Sequence, residues 1–154
     1  MSERAPGTPR LLARLVKLEH TVFALPFAYV GALLAWGDVP RTRDLAWITA
    51  AMVGARTLAM ALNRLIDAGV DARNPRTAGR ELPVGLLTVS QVLALCGAAL
   101  ALYVVAVYQL DPLVRRLWPI PVVLFVVYPY LKRATWLCHL WLGACLALAP
   151  VGAW

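Results

Sequence analysis

The sequence predicts an all-α fold, a multi-pass transmembrane bundle of about five helices. Three observations carry this. Hydrophobic residues occupy 61% of the 154 positions, and mean hydropathy is +0.69, whereas soluble domains are about 45–50% apolar. The excess is gathered into blocks, at 21–37, 45–55 with 57–63, 82–110, 117–131 and 134–154, and none of these contains Asp, Glu, Lys or Arg. A soluble bundle needs a charged face on each helix, and these blocks have none. A bilayer-spanning helix needs about 20 mostly apolar residues, which the blocks approach or exceed.

In chain order, residues 1–19 form an N-terminal arm and 20–154 the membrane domain. The arm is too long and too charged for a signal-peptide leader. Leu11, Leu12, Leu15 and Val16 interleave with Arg10, Arg14 and Lys17, a pattern for a short helix lying in the headgroup layer. The first span runs from about Leu15 to Trp36, with Pro26 inside it as a possible kink. Asp44 is placed to cap the second, which continues to about Asp71. Asn74-Pro75 and Leu82-Pro83 punctuate the loop that follows, and Thr88 or Ser90 can start the third helix. Asp111-Pro112 breaks the chain before the fourth, which holds Pro119 and Pro121. Lys132-Arg133 marks the next turn, and the fifth helix runs to Trp154. The sequence stops there inside an apolar run without a charged tail, and it is read as a fragment.

Charge placement sets the expected orientation. If the N-terminus and the second and fourth connections share one side, that side carries ten basic residues and the other four, with Arg56 inside the second span. The positive-inside bias makes the richer side cytoplasmic, and an inner (plasma) membrane protein is expected. The net charge of +7 belongs to this asymmetry and to anionic lipids or phosphate ligands. No aromatic–basic interleaving points to nucleic acid. Cys96, Cys138 and Cys145 form no CxxC pair and read as inert packing. His139 reads as an ordinary helix histidine.

The run Asn63–Pro83 places three carboxylates, two carboxamides and four arginines at the end of an apolar segment. Polar groups at a bilayer's edge are costly unless something uses them. On a helical wheel Asn63, Asp67 and Asp71 fall at about −20°, 20° and 60° from Arg56, a single stripe climbing roughly 22 Å. Asp67 and Asp71 at i and i+4 project from one face. Magnesium binds hard oxygens and is usually held by one or two carboxylates plus substrate phosphates, and the Asn63 amide oxygen suits the same role. Arg76 and Arg80 offer bidentate donors to phosphate oxygens. Glu81 reads as a solvated loop charge. The plainer alternative pairs Asp67 with Arg64 and Asp71 with Arg73 as surface ion pairs of about 0–1 kcal/mol each.

These residues resemble a known family. Asn63-Arg64-x-x-Asp67-x-x-x-Asp71-x-x-Asn74-Pro75-Arg76-Thr77-x-x-Arg80 is similar to the first aspartate-rich motif of the UbiA superfamily of intramembrane aromatic prenyltransferases. Glu19-His20-Thr21-x-Phe23-Ala24-Leu25-Pro26-Phe27-Ala28-Tyr29, Ala55-Arg56-Thr57 and Tyr128-Pro129-Tyr130-x-Lys132-Arg133 resemble its 4-hydroxybenzoate polyprenyltransferase-like branch. The resemblance implies Mg²⁺-dependent transfer of a polyprenyl group from polyprenyl diphosphate to an aromatic acid, 4-hydroxybenzoate or a relative, in ubiquinone or menaquinone biosynthesis. It implies metal and diphosphate roles for Asn63, Asp67 and Asp71, diphosphate contacts for Arg76, Arg80 and Lys132, and an acceptor carboxylate for Arg56. It also implies a nine-helix fold with a second aspartate-rich motif. No Asp or Glu follows Lys132, so the chain is expected to be an inactive half, or one completed by a separately encoded second half. A CDP-alcohol phosphotransferase-like enzyme and a non-enzymatic membrane anion carrier or assembly protein are the alternatives.

Overall fold

The computed structural model describes residues 7–37 and 39–154, and it contains seven helices among them: α1 (Thr8–Val16), α2 (Leu18–Trp36), α3 (Thr42–Asp71), α4 (Val89–Tyr108), α5 (Pro112–Leu117), α6 (Pro119–Ala134) and α7 (Cys138–Ala153). The start of the N-terminal arm, with Arg4, lies outside the described residues, as do the side chains of Glu19, His20 and Thr21. Three segments are long and apolar enough to cross a membrane: Thr42–Asp71, Val89–Tyr108 and Pro112–Ala134. The first and fifth expected spans appear as shorter apolar helices, Val22–Trp36 and Cys138–Ala153.

The helix boundaries follow local chemistry. Thr88 accepts from the Gln91 backbone N–H while the Gln91 side chain reaches back to the Thr88 N–H, a reciprocal capping box. Asp111 caps α5 by accepting from Leu113 N at 2.8 Å, with Pro112 opening the helix. Asp44 is not the cap of α3. Arg41 holds that position, and Asp44 lies in the first turn, where its charge complements the helix dipole. The first expected helix is divided. Lys17 adopts φ 47° and ψ 66°, a left-handed conformation that a residue with a Cβ seldom takes. The break frees α1 to turn its apolar stripe onto α3. Leu11, Leu15 and Val16 are buried in one cluster with Leu58 and Ala61 of α3 and Val92, Cys96 and Ala99 of α4. The arm's helix therefore packs on protein, with Arg10, Arg14 and Lys17 left exposed.

Helix α3 is the hub, touching α1, α2, α4 and α6. Helices α2, α3, α6 and α7 pack in a closed order, since α2 also meets α7 and α6 meets α7. Small residues set the tightest approaches. A Cβ on Gly54 would stand 2.8 Å from Tyr103 N and 3.0 Å from Ala99 O, and a Cβ on Gly31 would strike the Pro150 carbonyl. Without a hydrophobic drive between helices in lipid, such close backbone packing is a principal source of association. Polar ties supplement it. Tyr29 Oη and Thr49 Oγ1 are 2.7 Å apart between α2 and α3, and Trp141 Nε1 of α7 donates to Leu124 O of α6 at 3.0 Å.

Replacing Gly54 with leucine is expected to destabilise the α3–α4 pair by about 1–3 kcal/mol, the usual cost of overpacking. Gly97→Ala, where a Cβ meets nothing within 4 Å, is expected to be neutral or mildly stabilising. Denaturant unfolding in mixed micelles, followed by helical circular dichroism, checks both.

Candidate functional site

The C-terminal turns of α3, the loop at 72–88 and the last turn of α6 converge on two acids. Asp67 and Asp71 retain only 2% and 7% of their surface. Buried carboxylates are costly unless paired, and each is met by cations from elsewhere in the chain. Lys132 Nζ bonds Asp67 Oδ2 and lies 3.3 Å from Asn63 Oδ1. Arg133 donates to Asp67 Oδ1 at 2.8 Å and to the Ile66 carbonyl at 2.9 Å. Arg80 Nη1 lies 2.5 Å from Asp71 Oδ2. The surface pairs with Arg64 and Arg73 do not form among these contacts. Asp67 reaches across to α6, and Asp71 reaches nine residues along the chain.

The loop is folded so as to deliver Arg80. Asn74 Oδ1 accepts from Arg76 N at 3.0 Å, a side-chain turn of the kind asparagine favours. The hydroxyl of Thr77, itself buried, donates at 3.0 Å to the Asp71 carbonyl, satisfying a helix-end acceptor. Arg76 and Arg80 differ in environment. Arg80 turns inward to Asp71, while Arg76 is exposed, because a four-residue spacing aligns side chains only in a helix. Glu81 is half-buried rather than fully solvated.

Beneath this end of the bundle lies a cavity of about 790 Å³, walled by α2, α3, α6 and α7. Its lining is mainly apolar, and Arg56, Asn63 and Tyr128 face it. The expected polar stripe therefore opens onto an interior space, as an intramembrane arginine requires. The Nε atoms of Arg56 and Arg64 are buried without a hydrogen-bond partner. Cys145, half-buried, also lines the cavity, whereas Cys96 is buried in the core. His139 is exposed.

One site residue escapes the sequence reading. Arg133 was visible only as half of a basic pair at a turn, and its contact with Asp67 spans 66 positions. The rings of Tyr128 and Tyr130 lie 5.8 Å from Lys132 Nζ and Arg133 Cζ respectively, within cation–π range.

Among the described residues no cluster of three or more His, Cys, Asp or Glu side chains gathers. The oxygens on this face are the amide of Asn63 and the carboxylates of Asp67 and Asp71. The Lys132 ammonium already bridges two of them, so the spot accepts a cation. That donor set suits a hard divalent ion whose remaining ligands are waters and phosphate oxygens.

The chain is thus a helical membrane bundle in which a paired-acid, cation-walled cluster lies next to a mainly apolar cavity. The model of the UbiA prenyltransferase family matches residues 24–154. The chain belongs to the UbiA prenyltransferase family. It is 29% identical over 140 residues to the 4-hydroxybenzoate octaprenyltransferase of Aliivibrio fischeri, covering 91% of this chain and 47% of that one. It is 35% identical over 149 residues to the Protoheme IX farnesyltransferase of Methylococcus capsulatus, covering 93% and 48%. The apo structure of a UbiA homolog from Aeropyrum pernix K1 superimposes with a TM-score of 0.83 at 39% identity, over 88% of this chain and 49% of that one. The chain thus spans about half the length of the relatives it matches. Family membership replaces the CDP-alcohol phosphotransferase alternative.

Removing the Arg80 side-chain charge with Arg80→Gln is expected to free the loop from Asp71 and raise its tryptic cleavage at Arg73 and Arg76 several-fold. Timed proteolysis of the reconstituted protein checks this, with Arg43→Gln as the distant control.

Proposed function

We propose that this chain provides a diphosphate-binding half-site for the transfer of a polyprenyl group from polyprenyl diphosphate to an aromatic acid of the 4-hydroxybenzoate class, in quinone biosynthesis. The observation that carries the reading is that Asn63 and Arg56 line an apolar cavity, while Lys132 joins Asn63 to Asp67 and Asp71 follows one turn further along α3. An isoprenoid tail fits the apolar walls, and its diphosphate fits the acid-and-cation end.

Each residue has a role in that reading. Asn63, Asp67 and Asp71 would hold Mg²⁺, which supplies positive charge to a departing diphosphate. Arg80 and Lys132 donate charge-assisted hydrogen bonds to phosphate oxygens, and Arg76, exposed on the same loop, receives the head group as it enters. Arg56, with its unpartnered Nε, would orient the acceptor carboxylate across the cavity. Tyr128 lines the cavity, where an aromatic ring favours a developing allylic cation. The apolar lining keeps water from that cation. Arg10, Arg14, Lys17, Arg73, Arg76, Lys132 and Arg133 are all exposed. By the positive-inside bias the acidic end faces the cytoplasm of an inner (plasma) membrane protein. The relative named as a Protoheme IX farnesyltransferase makes protoheme IX the acceptor to test against 4-hydroxybenzoate.

Equilibrium binding of geranyl diphosphate to the chain in nanodiscs tests this. Binding is expected to require Mg²⁺ and to weaken at least about tenfold in Asp67→Ala and in Asp71→Ala, the scale of a lost charged contact. Arg56→Ala is expected to leave it within about twofold while abolishing saturable 4-hydroxybenzoate binding. Binding that ignores Mg²⁺ and survives both acid substitutions would support the anion-carrier alternative instead.

A further inference from the structure

The two cations on Asp67 differ in kind. Arg133 holds Oδ1 and, through the same Nη2, the backbone carbonyl of Ile66. It is further backed by the ring of Tyr130. A planar guanidinium tied to a carboxylate, a helix carbonyl and a ring is fixed in orientation. Lys132 holds Oδ2 and Asn63 Oδ1, both of them side-chain oxygens of the face that suits a divalent cation. Its ammonium is a compact charge on a flexible four-carbon stem, and it sits within reach of the Tyr128 ring, which lines the cavity.

We propose that Lys132 is an internal surrogate cation that neutralises Asp67 Oδ2 and hydrogen-bonds Asn63 Oδ1 until ligand arrives, and that Arg133 is a positioning residue that fixes Asp67 throughout. The inference rests on the function proposed above. When a divalent cation and a diphosphate enter together, Lys132 yields its two oxygens and turns to a phosphate oxygen, past Tyr128. Arg133 stays on Oδ1. The exchange keeps a cation on Asp67 Oδ2 at every stage, with the entering diphosphate balancing the added positive charge, so that neither oxygen of this buried acid is left uncompensated. It also makes the two ligands interdependent. A divalent cation alone must displace the ammonium with no anion to receive it, whereas diphosphate supplies that anion.

This gives the two neighbouring basic residues opposite signatures. The probe is Mn²⁺, followed by electron paramagnetic resonance on the chain in nanodiscs, with and without inorganic diphosphate. Wild type is expected to take up Mn²⁺ weakly alone and at least about tenfold more tightly with diphosphate. Lys132→Gln is expected to raise affinity for Mn²⁺ alone on the order of tenfold, because a like charge is removed from the two oxygens, and to shrink the gain from diphosphate. Arg133→Gln is expected to lower uptake in both conditions. Arg133→Lys, which keeps the charge but not the planar guanidinium, is expected to fail to restore it, and thermal unfolding of both variants establishes that they are folded. Should Arg133→Gln not fold, Arg133→Lys carries the comparison alone. If Lys132→Gln and Arg133→Gln raise Mn²⁺ affinity alike, the two cations are interchangeable counter-charges and the division of roles is overturned. If wild type takes up no Mn²⁺ even with diphosphate, the diphosphate-site reading itself fails, a result distinct from variants that move together.

Discussion

The architecture depends on the cost of burying two carboxylates at the end of a long apolar helix. Asp67 and Asp71 lie on one face of α3 with almost no solvent contact, and an unpaired charge there would be strongly destabilising. Each acid therefore recruits a distant segment. Asp71 draws in Arg80 and with it the loop at 72–88, and Asp67 draws in the Lys132–Arg133 turn and with it the α6–α7 pair. The charges that a diphosphate would meet are also the charges that close this end of the bundle.

The remaining packing serves that arrangement. Close approach at Gly54 seats α4 against α3, and α1 covers the α3–α4 junction with Leu11, Leu15 and Val16. Helix α3 is thereby supported on the side away from the cavity. On the other side α2, α6 and α7 leave a space of about 790 Å³, and the same polar stripe runs from inside that space to the acids. One helix thus connects an apolar chamber to a cluster of paired charges, the geometry on which the proposed function rests.

Much of this was legible in the sequence, and the failures have physical reasons. Uncharged blocks located every apolar helix, and the i, i+4 spacing of Asp67 and Asp71 correctly put both on one face, because helical periodicity is local. Arg76 and Arg80 share that spacing but lie in turns, where it carries no alignment, so one faces solvent and the other Asp71. The break at Lys17 has no glycine or proline to announce it. Tertiary packing of the α1 stripe imposes it against local propensity. Arg133 could not be assigned because an adjacent Lys-Arg pair reads as a membrane-edge anchor until α6 is known to pack on α3.

Anomalous scattering from crystals of the chain grown in lipid with Mn²⁺ and diphosphate addresses the central claim most directly. The account expects a single metal peak within coordination distance of the Asp67 and Asp71 carboxylates, with Lys132 moved off Asp67. A metal bound elsewhere, or diphosphate bound with Lys132 still on Asp67 and Arg80 still on Asp71, would contradict it.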